Sequence, residues 1–132
     1  AEAVGNCSQL ESLNLADNGI GSSHVSRLCD SLAKLSKLED LTLAGNAIGD
    51  VGASCLGETL SHLQNLVLLD LTGCEIGATG AASVAEGLQS CTQVETLHLG
   101  LNSFDADLPI LHLDSNASVA LQALFTSVGT SL

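Results

Sequence analysis

A frame of apolar residues recurs in this chain every 28 residues, and this interval constrains the fold more than any other feature. The frame begins at Leu10, Leu38, Leu66 and Val94. Each opening residue is followed by leucine three and five positions later, and by Asn or Cys eight positions later. Such equal spacing predicts a stack of similar coils, in which each coil contacts mainly its neighbours.

The repeat at residues 38–65 gives the local structure. Leu41 and Leu43 alternate with polar residues, which predicts a short strand whose leucines point inward. Asn46 follows in a turn, where its amide is expected to bond to backbone groups of the turn and of neighbouring coils. Gly49 then allows a backbone conformation that other residues resist.

Apolar residues at helical spacing follow the turn in each repeat. The predicted inner faces contain Val25, Leu28, Cys29, Leu32 and Leu35, then Cys55, Leu56, Leu60 and Leu63, and then Val84, Leu88 and Cys91. Each coil is therefore strand, turn, helix and return. The predicted fold class is an α/β solenoid, a short horseshoe arc with parallel strands on the concave face and helices on the convex face.

The pattern Leu-x-x-Leu-x-Leu-x-x-Asn is the leucine-rich repeat signature. Asn-x-Ile-Gly at residues 18–21 and 46–49, and Cys-Glu-Ile-Gly at residues 74–77, resemble the ribonuclease-inhibitor-like subfamily. This resemblance covers residues 1 to about 104. It implies a protein-binding surface, as in the sensing arrays of cytosolic nucleotide-binding innate immune (NOD-like) receptors. Three similar 28-residue units in succession resemble those arrays more than the alternating repeats of ribonuclease inhibitor.

We expect one leucine-rich repeat domain over residues 1–132. Its predicted parts are a partial repeat at 1–9, repeats at 10–37, 38–65 and 66–93, and an irregular repeat with a loop insertion at 94–132. The first ten residues resemble residues 85–94, so we expect the chain to start within a repeat and to belong to a longer array. Uncapped ends of such an array are a possible surface for self-association.

The frame fails after Asn102. A 12-residue insertion would return Leu121, Leu124 and Val128 to core positions, which predicts a helix near 117–129 and a short extra strand near 110–113. The alternative is a fifth strand motif opening at Leu108. That motif would begin only 14 residues after Val94, which is too short for a coil with a helix.

The net charge of −12 comes from 15 acidic groups against three basic ones, which are Arg27, Lys34 and Lys37. Nucleic acid and anionic membrane are therefore not expected as partners, because both require Lys or Arg to neutralise phosphates. No stretch of 18 apolar residues occurs. The acidic excess has two open interpretations, which are solubility and attraction of a basic partner.

Five cysteines form no Cys-x-x-Cys pair: Cys7, Cys29, Cys55, Cys74 and Cys91. We interpret them as free thiols packed as small hydrophobic residues, which indicates a reducing compartment and a cytoplasmic location.

No catalytic constellation is found in the sequence. Both the Gly-x-Ser-x-Gly elbow and the phosphate-binding loop are missing, so we expect neither an enzyme nor a cofactor. Asp105, Asp107, His112 and Asp114 follow no calcium-loop spacing, and no metal site is predicted there.

The outward residues of the strands define the concave face. Its members are Ser12, Asn14, Asp40, Thr42, Leu68, Asp70, Thr96 and His98. Leu68, with Val67 beside it, forms an apolar spot on an acidic to neutral surface. We therefore predict that a protein partner binds the concave face. The alternatives are a scaffold or regulatory segment of an actin- or GTPase-pathway protein, and a structural spacer without a ligand.

Overall fold

The computed structural model describes residues 8–100, residue 102 and residues 111–112, and within them strands alternate with helices. The strands are β1 (Ser12–Asn14), β2 (Asp40–Thr42), β3 (Leu68–Asp70), β4 (Thr96–His98) and β5 (Leu111–His112). The helices are α1 (Ser22–Leu32), α2 (Gly49–Leu60) and α3 (Ala78–Leu88). The sheet order is β1-β2-β3-β4-β5.

The first four strands form three parallel pairs, β1 with β2, β2 with β3 and β3 with β4, each at a register offset of one repeat. Leu13 pairs with Leu41, Leu41 with Leu69, and Leu69 with Leu97. The side chains of Leu41, Leu69 and Leu97 are fully buried. The predicted parallel sheet with inward leucines is therefore confirmed, and the equal register follows from the 28-residue frame.

The helices bury one face against the sheet but end earlier than the apolar spacing suggests. α1 ends at Leu32 and α2 at Leu60. Leu35 and Leu63 are buried from the segment that follows, where their backbone N–H groups donate to the carbonyls three residues back. These tighter turns return the chain toward the next strand. The prediction that Leu35, Leu63 and Cys91 lie on helices is therefore wrong, although all three belong to the core.

A buried Asn side chain joins successive coils. Oδ1 of Asn46 accepts the backbone N–H groups of Asn18 and Ile20 at 3.0 and 2.9 Å. Nδ2 of Asn46 donates to the carbonyls of Leu15 and Leu43, both at 2.9 Å. The predicted role of Asn46 is confirmed, since one side chain satisfies four backbone groups of two neighbouring coils.

Each residue at this position serves the turn of the preceding repeat. Asn102 makes the same bonds to the turn of the third repeat, whereas Cys74 lies beside the turn of the second repeat and bonds differently. Oδ1 of Asn102 accepts the N–H groups of Cys74 and Ile76 at 2.9 and 3.0 Å. Cys74 instead donates its thiol to the carbonyl of Leu43 at 3.1 Å. A sulfur is a weak acceptor, so the turn of the second repeat lacks the oxygen that its neighbours use.

The backbone of that turn takes another path. The N–H of Ile48 donates to the carbonyl of Asn46 at 2.9 Å, and the N–H of Gly49 donates to the carbonyl of Cys74 at 3.0 Å. Gly49 adopts a φ of +68°, a region that glycine enters readily. Gly21 and Gly77, at the same repeat position, have extended backbones. The turn that lacks an Asn oxygen as acceptor is therefore also the turn in which the glycine adopts a left-handed conformation.

Helices α2 and α3 approach through glycines. A Cβ added to Gly87 would overlap the carbonyl oxygen of Gly57, and one added to Gly57 would overlap that of Ser83. Neither glycine therefore has room for a side chain. At the other end of this pair, Oδ1 of Asp50 accepts the N–H groups of Gly77 and Gly80 at 2.7 and 2.9 Å. A carboxylate in one coil thereby caps the helix of the next.

The fifth strand runs against the others. Leu111–His112 pairs antiparallel with β4, with Thr96 opposite His112 and Leu97 opposite Leu111. A short strand was predicted near 110–113, and these two residues form it. The predicted helix near 117–129 lies outside the described residues. No helix among the described residues has the length and hydropathy to cross a membrane.

Leu41→Ala is expected to destabilise the fold by about 2–5 kcal/mol, because it opens a cavity in a fully buried position. Denaturant unfolding followed by circular dichroism measures the loss. Val51→Ala is the matched control, since Val51 is 70% exposed and its truncation should change stability little. Equal effects of the two substitutions would contradict the assigned core.

Asn46→Ala is expected to cost about 3 kcal/mol or more, because two backbone donors and two carbonyls lose their partner. Asn46→Cys should cost about half as much, since a thiol in this position donates to a carbonyl of the preceding coil, as Cys74 does. Thermal unfolding of the two variants measures the difference. A Cys variant no more stable than the Ala variant would contradict the thiol's role.

Candidate protein-binding surface

The eight residues of the concave face form two columns across the sheet. One column is Ser12, Asp40, Leu68 and Thr96, and the other is Asn14, Thr42, Asp70 and His98. Members of a column lie on adjacent strands, which are about 4.8 Å apart in a sheet. The structure therefore places all eight predicted residues on one surface. Their role in binding stays a prediction.

Exposure changes across this surface. Ser12 and Asn14 on β1 and Asp40 on β2 are exposed, whereas the members on β3 and β4 are partly buried. Leu68 is one of these partly buried residues and is the apolar member of the face. The surface thus has a polar, solvent-exposed side on β1 and β2 and a less exposed side that contains the aliphatic Leu68. Such an arrangement is typical of protein-binding patches.

Two members of the concave face also hold the turn after their strand. Oδ1 of Asn14 accepts the N–H of Ala16 at 3.0 Å. Oδ1 of Asp70 accepts the N–H of Thr72 at 3.0 Å and the hydroxyl of Thr72 at 2.6 Å. These bonds fix the direction of both side chains. A substitution at Asp70 would therefore disturb the turn as well as the surface.

A second row of side chains runs beside the concave face, at the entry to the strands. Backbone hydrogen bonds of 2.7–2.8 Å connect its members. The N–H of Glu39 donates to the carbonyl of Glu11, the N–H of Val67 donates to the carbonyl of Glu39, and the N–H of Glu95 donates to the carbonyl of Val67. The three glutamates are exposed and Val67 is partly buried. We call these four residues the entry row. It adds three carboxylates to the two on the concave face.

A groove of about 420 Å³ lies on the opposite side of the molecule, between α2 and α3. Its floor is formed where Gly57 and Gly87 bring the two backbones together, and Glu58 and Glu86 lie on its walls. The groove follows from this close helix packing. It has neither the charge pattern nor the apolar spot of the concave face.

The thiols are packed rather than reactive. Burial raises the pKa of Cys74 and of Cys91 to about 11, and it also raises the pKa of Cys29. Thiolates are the nucleophilic and metal-binding form, so these three groups are inert near neutral pH. Cys55 is only partly buried but also packs against the core, so the prediction of packed free thiols is confirmed for the four cysteines that the structure describes. Cys7 lies outside the described residues.

No cluster of three or more His, Cys, Asp or Glu side chains is placed to hold an ion in the part of the chain that the structure describes. Asp105, Asp107 and Asp114 lie outside the described residues, as does the side chain of His112.

A comparison with protein families matches the repeat frame. The family described as Leucine Rich repeat matches residues 6–29, 34–57 and 62–85, which together exceed half of the chain. The chain belongs to the leucine-rich repeat family. This membership and the parallel sheet confirm the predicted fold class. No curated protein matches the leucine-rich repeat chain.

Solved structures of the same fold include one described as leiomodin-1 actin-binding site 2 (ABS2). It aligns with a TM-score of 0.70 over 96% of this leucine-rich repeat chain and 68% of that chain, at 14% sequence identity. A likeness at this identity establishes the shared fold, and does not extend to individual surface residues.

Native labelling with iodoacetamide near pH 8 is expected to modify Cys55 first among Cys29, Cys55, Cys74 and Cys91, because it is the most exposed of them. Cys74 and Cys91 should stay unlabelled until the chain unfolds, since burial holds their thiols protonated. Peptide mapping by mass spectrometry measures each site, with labelling in denaturant as the control. Rapid native labelling of Cys74 would contradict its buried position.

Proposed function

We propose that the leucine-rich repeat chain is a protein-binding module, and that its concave face carries the contact. The observation that supports this most directly is Leu68, a partly buried aliphatic residue on the outward side of a sheet. Polar side chains of fixed register surround it. Repeat stacks of this kind characteristically use such extended surfaces for binding.

The proposed mechanism is presentation rather than catalysis. We expect most of the affinity to come from a few side chains around Leu68, Asp70 and His98, with the exposed residues of β1 and β2 guiding approach. A rigid, hydrogen-bonded sheet loses little conformational entropy on binding, which favours affinity without a structural change. In this proposal the module has no enzymatic activity and needs no cofactor.

Two kinds of parent protein are proposed. The 28-residue helix-bearing repeats and their Asn-x-Ile-Gly turns support the ligand-sensing or autoregulatory array of a cytoplasmic innate immune receptor. The likeness to leiomodin-1 actin-binding site 2 supports the second, a regulatory segment of an actin-pathway protein. The second candidate predicts that monomeric actin binds the chain saturably. No saturable binding up to about 100 μM actin would leave the receptor candidate ahead.

A structural spacer is the remaining alternative, in which the ends of the array associate with each other. Sedimentation velocity over a range of concentrations separates it from the binding module. Association that grows with concentration and is unchanged by substitutions on the concave face would favour the spacer.

Peptides can be selected from a random display library on the immobilised chain. We expect each of the variants Leu68→Ser and Asp40→Lys to bind these peptides about tenfold more weakly than the parent chain, a loss of about 1.4 kcal/mol. Val51→Ser and Asp30→Lys are the matched controls. The first replaces an exposed aliphatic residue of a helix by Ser, and the second makes the same charge reversal at an exposed helix position. The controls should bind within about twofold of the parent. Selected peptides that lose affinity equally for both sets would contradict a concave binding site.

A further inference from the structure

Positive charge is confined to one part of this molecule. The only Lys and Arg residues of the chain are Arg27, Lys34 and Lys37. Arg27 lies on α1, and the two lysines lie between α1 and β2. The ammonium group of Lys37 donates to Oε1 of Gln9 at 2.8 Å. The concave face and the entry row therefore contain no Lys or Arg.

Carboxylates on that side lie on either side of an apolar pair at the start of β3, whereas Asp70 at the end of β3 bonds to Thr72. Glu11 on the entry row and Glu39 with Asp40 lie on the first two coils. The third coil presents two apolar residues next to each other, Val67 and Leu68. Glu95 on the fourth coil is acidic again. At the level of the entry row, the surface therefore changes across the strands from acidic to apolar and back to acidic.

The grouping has an electrostatic consequence. Glu11, Glu39 and Asp40 are exposed and lie on adjacent strands about 4.8 Å apart, well within the Debye length of about 8 Å at physiological salt. Their mutual repulsion is weakly screened at this distance. A ligand that places cations here relieves the repulsion and gains charge-assisted hydrogen bonds.

We propose that the concave face binds a basic segment of a partner protein, in which Lys or Arg residues flank an apolar residue. This inference rests on the proposed function and specifies the chemistry of the partner. The apolar side chain contacts Val67 and Leu68, and the cations meet the carboxylates of Glu39 and Glu95. Two strand spacings are about 10 Å, which an extended chain covers in about three residues. The flanking cations are therefore about three residues apart.

The test is a titration of the full ¹⁵N-labelled chain with two synthetic peptides, followed by NMR. One peptide is Arg-Lys-Leu-Lys-Arg, and the other is Gln-Gln-Leu-Gln-Gln. We expect the basic peptide to shift the amide signals of Glu39, Leu68 and Thr96. The neutral peptide should bind about tenfold more weakly. The affinity of the basic peptide should fall steeply between about 20 mM and about 300 mM salt.

Matched variants assign the site. Glu39→Gln combined with Glu95→Gln should weaken the basic peptide about fivefold. Glu58→Gln combined with Glu86→Gln removes the same charge from exposed positions on α2 and α3, and should change affinity less than about twofold. Equal losses for the two double variants would overturn the proposal, because net charge alone would then explain the binding.

Other outcomes separate this inference from the proposed function. If the neutral peptide shifts the concave signals as strongly as the basic one, the basic partner is wrong and the concave binding site stands. If the shifts fall on α2 and α3 instead, both are wrong. If the chain without peptide self-associates, and salt or the Glu39 and Glu95 substitutions reverse this, the occupant is a second copy and the proposal is overturned.

Discussion

The buried amide of Asn46 is the interaction on which the arrangement of the coils depends. Turns between strand and helix point backbone N–H and C=O groups into a narrow apolar core, where unpaired groups are costly. Asn46 satisfies four of these groups, three of them in the preceding coil. Leucine burial supplies the driving force for stacking, but it is not directional. The amide is directional, and it fixes which backbone groups of the two turns face each other. Hydrogen bonds between the strands keep the same register where Cys74 replaces the Asn.

The concave face is a consequence of that register. Because successive strands are offset by one repeat, residues separated by 28 positions become neighbours on one surface. A column such as Asn14, Thr42, Asp70 and His98 is then assembled from four different segments of the chain. The outward side chains decide the chemistry of this surface, and the core does not constrain their identity. The buried residues of the same strands fix their positions.

This division explains what the sequence predicts and what it leaves open. The inward leucines, the Asn amide and the outward columns follow from spacing, because alternation and repeat length dictate them. The ends of the helices and the cap that Asp50 provides to the next helix were not predicted, since each depends on contacts between coils. The partner is beyond pattern reasoning, because surface residues obey no packing rule. Only charge and the apolar spot indicate its chemistry.

Gly49 and Cys74 form a pair with an evolutionary implication. Glycine is present at this position in all three turns, yet only Gly49 uses a left-handed backbone, in the turn that lacks an Asn acceptor. Gly21 and Gly77 could adopt the same left-handed conformation, which would let the Asn of the following coil be lost without unfolding the turn. Substitutions at positions 49 and 74 should therefore be epistatic. Replacing this glycine is most harmful where the following coil carries Cys instead of Asn. Such arrays can therefore lose the Asn of one turn without a change in the other turns.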